Sequence, residues 1–87
     1  MLAYFNRGNA RKGKGDLQSA LADYTEAIRL KPNHQGAYAH RAVVWELLAD
    51  YSAAISDSQK YLDLRGGMRD GEQAEIQRRI RELRKKL

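Results

Sequence analysis

Two histidines are the residues of this chain best suited to acid–base or metal chemistry. They are His34 and His40, and the 87 residues contain no cysteine. A separation of six positions does not place both imidazoles on one face of a helix, and no thiolate is present to complete a structural zinc site. We therefore expect no bound metal and no cofactor. For His40 two interpretations stay open, a contact with a binding partner or a solvated side chain.

The other polar residues show no catalytic pattern. The carboxylates stand at the starts of predicted helices and on exposed faces, where capping and i,i+4 ion pairs account for them. The stretch Gly13-Lys14-Gly15 lacks the full spacing of a phosphate-binding loop, and it follows a predicted helix, whereas that loop follows a strand. We interpret the stretch as a turn and predict that the chain is not an enzyme.

Positive charge is concentrated in the last quarter of the chain. The whole chain has 16 Lys+Arg and 11 Asp+Glu, a net charge of +5. Residues 1–64 carry 8 basic and 7 acidic side chains, whereas residues 65–87 carry 8 and 4. Contact with a polyanion is therefore expected only at the basic surface of this last segment. That surface consists of Arg78, Arg79, Arg81, Arg84, Lys85 and Lys86.

The basic surface has two interpretations. One is a solubilising outer face on a final helix, and the other is binding of nucleic acid or another polyanion. No aromatic residue stands within residues 78–87 to stack on bases. We favour the solubilising role, so nucleic acid is not the expected partner.

The composition is typical of one globular domain. Hydrophobic residues make up 43% of the chain and charged residues 31%. No apolar run approaches the roughly 20 residues that cross a bilayer, and the first residues lack the apolar stretch of a signal peptide. With no cysteine either, we expect a cytoplasmic protein without a membrane span.

The sequence repeats itself after 34 residues. A shift of 34 positions aligns identical residues at seven places. These pairs are Ala3/Ala37, Tyr4/Tyr38, Arg7/Arg41, Asp16/Asp50, Ala20/Ala54, Asp23/Asp57 and Leu30/Leu64. A repeat of this length indicates one supersecondary unit that is used twice.

Each unit is predicted to contain two helices. The four helices are expected over residues 2–14, 17–30, 35–48 and 51–64. Asp16 and Asp50 are the expected N-caps of the second helix in each unit. Pro32 ends the second helix of the first unit, and Gly66-Gly67 ends that of the second unit.

A fifth helix is predicted after residue 69. Asp70 and Gln73 have the spacing of a capping box. The apolar face of this helix contains Ile76, Ile80, Leu83 and Leu87. The i,i+4 ion pairs expected on its remaining surface, each worth about 0.2–0.5 kcal/mol, are Glu75–Arg79, Arg78–Glu82 and Glu82–Lys86.

Two ion pairs are expected inside the hairpins. Arg7 and Asp23 are equidistant from the turn of the first unit, and Arg41 and Asp57 are equidistant from the turn of the second. Equidistant residues stand at the same height in an antiparallel helix pair, so we predict that each arginine pairs with its aspartate. The alternative is that both arginines are solvated.

The first unit resembles a tetratricopeptide repeat. The residues at the signature spacings are Tyr4, Gly8, Ala20, Tyr24, Ala27 and Pro32. The second unit keeps Tyr38, Ala42, Ala54 and Ile55. It departs at Ser58, where an aromatic residue is usual, at Tyr61, where alanine is usual, and at Gly66, where proline is usual.

The resemblance implies an all-α fold, a short right-handed α-solenoid of two helix-turn-helix hairpins and a C-terminal solvating helix. The first repeat would cover residues 1–34, the second 35–68 and the closing helix 69–87, all within one structural domain. Gly8 is then small because two helices approach closely there. Trp45 is expected to fill core space, with a binding hot spot as the alternative.

The resemblance also implies a function. In such repeats the first helix of each hairpin lines a concave surface, and that surface suits an extended peptide or a partner helix. We therefore expect a protein–protein interaction module whose partner is another protein or peptide. The expected groove consists of Leu2, Phe5, Asn6, Asn9, Lys12, Ala39, His40, Val43, Glu46 and Leu47.

One branch of the family holds the C-terminal carboxylate of chaperone tails with two lysines, two asparagines and an arginine. Only Asn9 matches that set, because Phe5 stands in place of a lysine and His40 in place of an asparagine. We therefore do not expect a chaperone-tail clamp.

The oligomeric state is left open by the sequence. Two repeats are fewer than the three or so that such arrays need for stability, and no polar cap covers the first helix. Either the chain is a monomer, as a fragment or a short protein, or its uncapped N-terminal end pairs with a second copy as a homodimer. In the second case the chain is a self-associating structural element.

Overall fold

The computed structural model describes residues 2–65 and 70–87, except for the side chains at positions 2, 65 and 70–72. Three predictions lie outside the described residues. They concern Leu2 in the groove, Gly66-Gly67 at a helix end and the Asp70 capping box.

Five helices follow one another along the chain. They are α1 (Leu2–Gly13), α2 (Leu17–Leu30), α3 (Gln35–Leu47), α4 (Tyr51–Arg65) and α5 (Asp70–Arg84). The described residues contain no strand, and the predicted all-α class is confirmed. Each helix packs against the next, and α1 also contacts α3, which is the stacking of hairpins that builds a helical solenoid.

The first hairpin depends on a close contact between α1 and α2. A Cβ atom added at Gly8 would lie 2.9 Å from Cε1 of Tyr24, so the ring can lie against the helix only because residue 8 is glycine. Tyr24 and Ala20 are fully buried at 0% exposure. The predicted close approach at Gly8 is confirmed.

The two hairpins differ in how their second helices are capped. Oδ1 of Asp50 accepts a 3.2 Å hydrogen bond from the backbone N–H of Ala53, which confirms Asp50 as the N-cap of α4. Asp16 occupies the predicted N-cap position of α2, but its side chain makes no capping hydrogen bond. Its backbone, at φ −82° and ψ 74°, departs from the extended geometry that aims a capping side chain at the first helical turn.

The junction between the hairpins begins as predicted at Pro32. Lys31 is extended, with φ −142° and ψ 90°, because a residue before proline is excluded from the helical region. The next helix has a cap that the sequence did not indicate. Nδ1 of His34 accepts a 3.2 Å hydrogen bond from the backbone N–H of Ala37, although histidine is not among the preferred N-cap residues.

Both predicted hairpin ion pairs are confirmed. Arg7 donates through Nε and Nη2 to the carboxylate of Asp23 at 3.0 and 2.8 Å. Arg41 donates in the same way to Asp57 at 2.7 and 2.8 Å. The two aspartates are 2% and 5% exposed, so each bidentate pair offsets the cost of burying a carboxylate.

Helix α5 covers the end of the second hairpin. Ile80 and Leu83 are 5% and 2% exposed, and Ile76 is partly buried. Leu87 is 70% exposed because the helix ends at Arg84, so its predicted place on the apolar face is wrong.

The tryptophan lies at the edge of the main core. Trp45 is partly buried and packs against the cluster of Ala20, Leu21, Tyr24 and Val44. The core-packing interpretation of Trp45 is therefore confirmed. Within residues 2–65 and 70–87, none of the helices has the length and apolar character that a membrane crossing requires.

Candidate functional site

The predicted groove residues of α1 have two different environments. Asn6 is exposed, whereas Asn9 is partly buried. Oδ1 of Asn9 accepts a 2.5 Å hydrogen bond from the hydroxyl of Tyr24. Burial raises the pKa of Tyr24 to about 12, so this hydroxyl keeps its proton and stays a donor. Asn9 thus contributes to the hairpin itself, and Asn6 presents its amide to solvent.

Phe5 packs between the two hairpins. Its ring centroid lies 4.7 Å from that of His34, 5.4 Å from that of His40 and 6.0 Å from that of Tyr24. A Cβ atom added at Gly36 would lie 3.1 Å from Cζ of Phe5, which shows how closely the ring meets the start of α3. Phe5 is partly buried, so only part of its ring remains for a partner.

Lys12 and His40 join α1 to α3 through a polar contact. Nζ of Lys12 lies 2.7 Å from Nδ1 of His40. An ammonium group can only donate, so Nδ1 accepts and the neutral ring carries its proton on Nε2. Burial first, and then the charge of Lys12, lower the pKa of His40. The pair therefore carries one positive charge at neutral pH, and it is on Lys12.

The same contact decides between the two interpretations of His40. The ring is partly buried and stacks on Tyr24 with centroids 6.0 Å apart. The interpretation of His40 as a solvated side chain is therefore wrong. Contact with a partner stays a prediction.

A pocket of about 210 Å³ opens where α1, α3, α4 and α5 meet. Its lining consists of Lys12, Ala39, His40, Ala42, Val43, Ser58, Tyr61, Ile76 and Arg79. Four predicted groove residues come together here, namely Lys12, Ala39, His40 and Val43. The pocket is mainly apolar inside, with cationic side chains among its lining.

Sequence reasoning missed the α4 side of this pocket. Ser58 and Tyr61 are 6% and 8% exposed and line the pocket. A signal was present, because these two positions are where the second unit departs from the repeat pattern. A serine in place of an aromatic side chain leaves space, and Tyr61 places an aromatic ring one helical turn further on. Ala42 and Ile76 also line the pocket and were not among the predicted groove residues.

Two predicted groove residues near the end of α3 do not line the pocket. Glu46 accepts a 3.1 Å hydrogen bond from Nε of Arg79 and so ties α3 to α5. Leu47 is 61% exposed. Arg79 was expected on the basic surface, but it lines the pocket with its charge met by Glu46.

The predicted i,i+4 pairs of α5 are wrong. Arg78 lies 4.0 Å from Glu75, and Lys85 lies 3.4 Å from Glu82, both at i,i+3 spacing. The side chains involved are more than half exposed, so these pairs add little to stability. Arg79 turns instead to Glu46 of α3.

The basic surface consequently has fewer unpartnered cations among the described residues than its composition indicates. All six of its cations are exposed. Nζ of Lys86 lies 5.2 Å from the centre of the Tyr51 ring, a cation–π contact. Among the described residues, Arg81 and Arg84 are the cations of this surface without a partner.

Metal-binding side chains do not converge in the part of the chain that the structure describes. No group of three or more histidine, aspartate or glutamate side chains could hold an ion there. Nδ1 of His34 caps α3, and Nδ1 of His40 accepts from Lys12.

Stacked helical hairpins with a groove between their first helices define an α-helical repeat protein. Residues 2–34 match the family model of the tetratricopeptide repeat. Together with the curated relatives described next, this match supports a protein of the tetratricopeptide repeat family. The match and the curated relatives support a module for protein–protein interaction.

Three curated relatives illustrate the match. The chain is 34% identical over 59 residues to Hsp70-Hsp90 organizing protein 2 of Arabidopsis thaliana, covering 68% of this chain and 10% of the relative. It is 38% identical over 65 residues to Tetratricopeptide repeat protein 36 of Bos taurus, covering 74% and 35%. It is 41% identical over 49 residues to Protein SGT1 homolog of Bos taurus, covering 56% and 14%. The chain thus spans between about a tenth and about a third of these relatives.

Proposed function

We propose that this chain is a non-catalytic module that binds a peptide or a partner helix in the concave groove formed by α1, α3 and α5. The observation that carries the proposal is the pocket of about 210 Å³ between these helices and α4. Apolar walls with a few polar side chains are the usual composition of a site that binds and orients a ligand. Because the lining comes from four helices, a ligand there contacts both hairpins and α5 at once.

The groove residues divide into three roles in this proposal. Ala39 and Val43 supply apolar surface beside the pocket. The exposed amide of Asn6 bonds the backbone of an extended ligand. Lys12 supplies the positive charge.

We also propose the division into repeats at 1–34 and 35–68 and a closing helix at 69–87. The burial of Ile80 and Leu83 against the second hairpin supports the closing role of α5. The cytoplasmic location stays a prediction.

The names of two plant relatives refer to the organisation of Hsp70 and Hsp90. We do not transfer that role to this chain, since Phe5 and His40 stand where a chaperone-tail clamp needs a lysine and an asparagine. Asn9, the one residue that matches, gives its carbonyl oxygen to Tyr24. The partner is therefore proposed only as a peptide or a helix.

Selection from a phage-displayed library of random dodecapeptides tests this function. Ala39→Arg places a long side chain in the pocket and is expected to abolish enrichment. Gln18→Arg adds the same side chain at an exposed position of α2 and should leave enrichment intact. Enrichment that Ala39→Arg does not reduce would contradict groove binding, and no enrichment by the wild-type chain would contradict peptide binding. Circular dichroism confirms that both variants are folded.

Binding of a polyanion by α5 is a second candidate. It is favoured by Arg81 and Arg84, which have no partner among the described residues. Binding to heparin that falls steeply with salt and is lost in an Arg81→Gln, Arg84→Gln variant would support it. Self-association also stays a prediction, and light scattering that gives the mass of one chain at all concentrations would exclude it.

A further inference from the structure

The pocket is the right size for one side chain. Its volume of about 210 Å³ lies below the range of about 300–1,000 Å³ typical of small-molecule and cofactor sites. Its lining includes the buried side chains of Ser58 and Tyr61 and the partly buried side chains of Val43 and Ile76. The pocket therefore suits a large apolar side chain that is presented by an extended peptide.

The charge beside the pocket is uncompensated. Nζ of Lys12 contacts the neutral ring of His40, and no carboxylate of the described residues lies within ion-pair distance of it. The other cation of the lining, Arg79, is neutralised by Glu46. The net charge at the pocket is therefore the single positive charge of Lys12.

The buried carboxylates of the two hairpins are already paired with arginines. Asp23 binds Arg7 and Arg11, and Asp57 binds Arg41. Burial lowers the pKa of Lys12, so its ammonium is partly desolvated without an opposing charge nearby. Such a cation gains more from an incoming carboxylate than a fully solvated lysine does.

We propose that the pocket binds one large apolar side chain of a partner peptide, and that an acidic side chain next to it pairs with Lys12. This inference rests on the proposed function and names the chemistry of its ligand. On binding, the ammonium of Lys12 donates to the carboxylate while His40 stays neutral and does not compete for it. Lys12 is not one of the chaperone-tail positions, and the acid is a side chain within the peptide.

The peptides enriched by the wild-type chain provide the test. A displayed peptide whose C-terminus is fused to the coat protein has no free C-terminal carboxylate, so selection reports on side chains. The expected consensus is a leucine, isoleucine, methionine or phenylalanine beside an aspartate or glutamate. The best peptide is then synthesised with an amidated C-terminus, in its acidic form and with the acid replaced by its amide.

Fluorescence anisotropy with these peptides separates the two contacts. For the wild-type chain we expect the amide form to bind about tenfold more weakly. Lys12→Gln should bind both forms equally, and Lys85→Gln, a control on the exposed face of α5, should keep the tenfold difference. Ser58→Phe should fill the pocket and remove the preference for the apolar side chain. Ala39→Leu also reduces the volume of the pocket and replaces Ser58→Phe in the test if that variant does not fold.

The outcomes distinguish this inference from the proposed function. Enriched peptides without an acid beside an apolar residue would overturn the inference while leaving groove binding intact. An acid preference that survives Lys12→Gln would overturn it as well. If the wild-type chain enriches no peptide, both fail together.

Discussion

Ala49 stands 34 residues after Gly15 and adopts the same left-handed backbone conformation, with φ +62° against +82°. For an L-residue with a Cβ atom this conformation costs about 1–2 kcal/mol, whereas glycine adopts it freely. The turn of the second hairpin therefore carries strain that the turn of the first avoids.

Replacing Ala49 with glycine should relieve this strain. We expect Ala49→Gly to raise the free energy of unfolding by about 0.5–1 kcal/mol, since the relief exceeds the added entropy of the unfolded chain. The reverse change, Gly15→Ala, should lower it by about 1 kcal/mol. A Cβ atom at Gly15 would meet nothing within 4 Å, so that loss would come from the backbone alone. Urea denaturation measures the free energy of unfolding of both variants. If Ala49→Gly were less stable than the wild-type chain, the backbone at Ala49 would not be strained.

Gly8 and Gly13 lie in the same helix and should respond oppositely to alanine. At Gly8 the new Cβ atom would press on the buried ring of Tyr24, whose hydroxyl is held by Asn9. We expect a net loss of about 1–2 kcal/mol for Gly8→Ala after its gain in helix propensity. Gly13→Ala meets no atom within 4 Å and should gain up to about 1 kcal/mol. Equal effects in thermal melts would refute the close contact.

The buried pair of Asp23 and Arg7 should make stability depend on pH. The hydrogen bond from Arg7 holds the pKa of Asp23 below its ordinary value. As the pH falls, Asp23 is therefore protonated in the unfolded chain before it is protonated in the folded chain. The contribution of the pair to the free energy of unfolding is present above the unfolded-state pKa of about 4, and it is lost as the pH falls toward the lower folded-state pKa. Asp23→Asn should cost about 1–3 kcal/mol at neutral pH, and less in acid.

Denaturation curves at several pH values check this prediction for Asp23. Asp16→Asn is the matched control, because Asp16 is exposed and makes no cap hydrogen bond. It should change stability by no more than about 0.5 kcal/mol. A constant difference between wild type and Asp23→Asn over the acid range would show that the pair does not titrate as described.

His40 should be neutral and protonated on Nε2 at neutral pH. Long-range ¹H–¹⁵N spectra report this tautomer directly, and a proton on Nδ1 would contradict the contact with Lys12. Burial lowers the pKa of His40, so the unfolded chain gains its proton first as the pH falls below about 6.5, and stability declines from there. His40→Gln should remove part of that decline.

Much of the fold follows from the repeat. The helices could be predicted from the helical period, and the junction after α2 from Pro32, because both depend on residues close in sequence. The ion pair of Arg7 and Asp23 could be predicted because the two residues are equidistant from the turn. The cap at His34 was missed because it depends on a side chain with little intrinsic preference for that place.

The site was less predictable because it depends on how the helices dock. The contact of Lys12 with His40 joins residues 28 positions apart, and Arg79 reaches Glu46 across 33. Both require the rotation of one helix against another, which helical period does not specify. In the sequence, Ser58 is only a departure from the family pattern. Its place in the pocket depends on the docking of α5, which supplies Ile76 and Arg79 to the lining.

The ring of Phe5 rests on the imidazole of His34 that caps α3. The first turn of the second repeat is therefore secured by a side chain of the first, and the repeat boundary in the sequence is not a boundary of cooperativity. Amide protons at the start of α3 should exchange with solvent in the same opening event as those of α1. In this chain the two repeats are expected to melt as one unit.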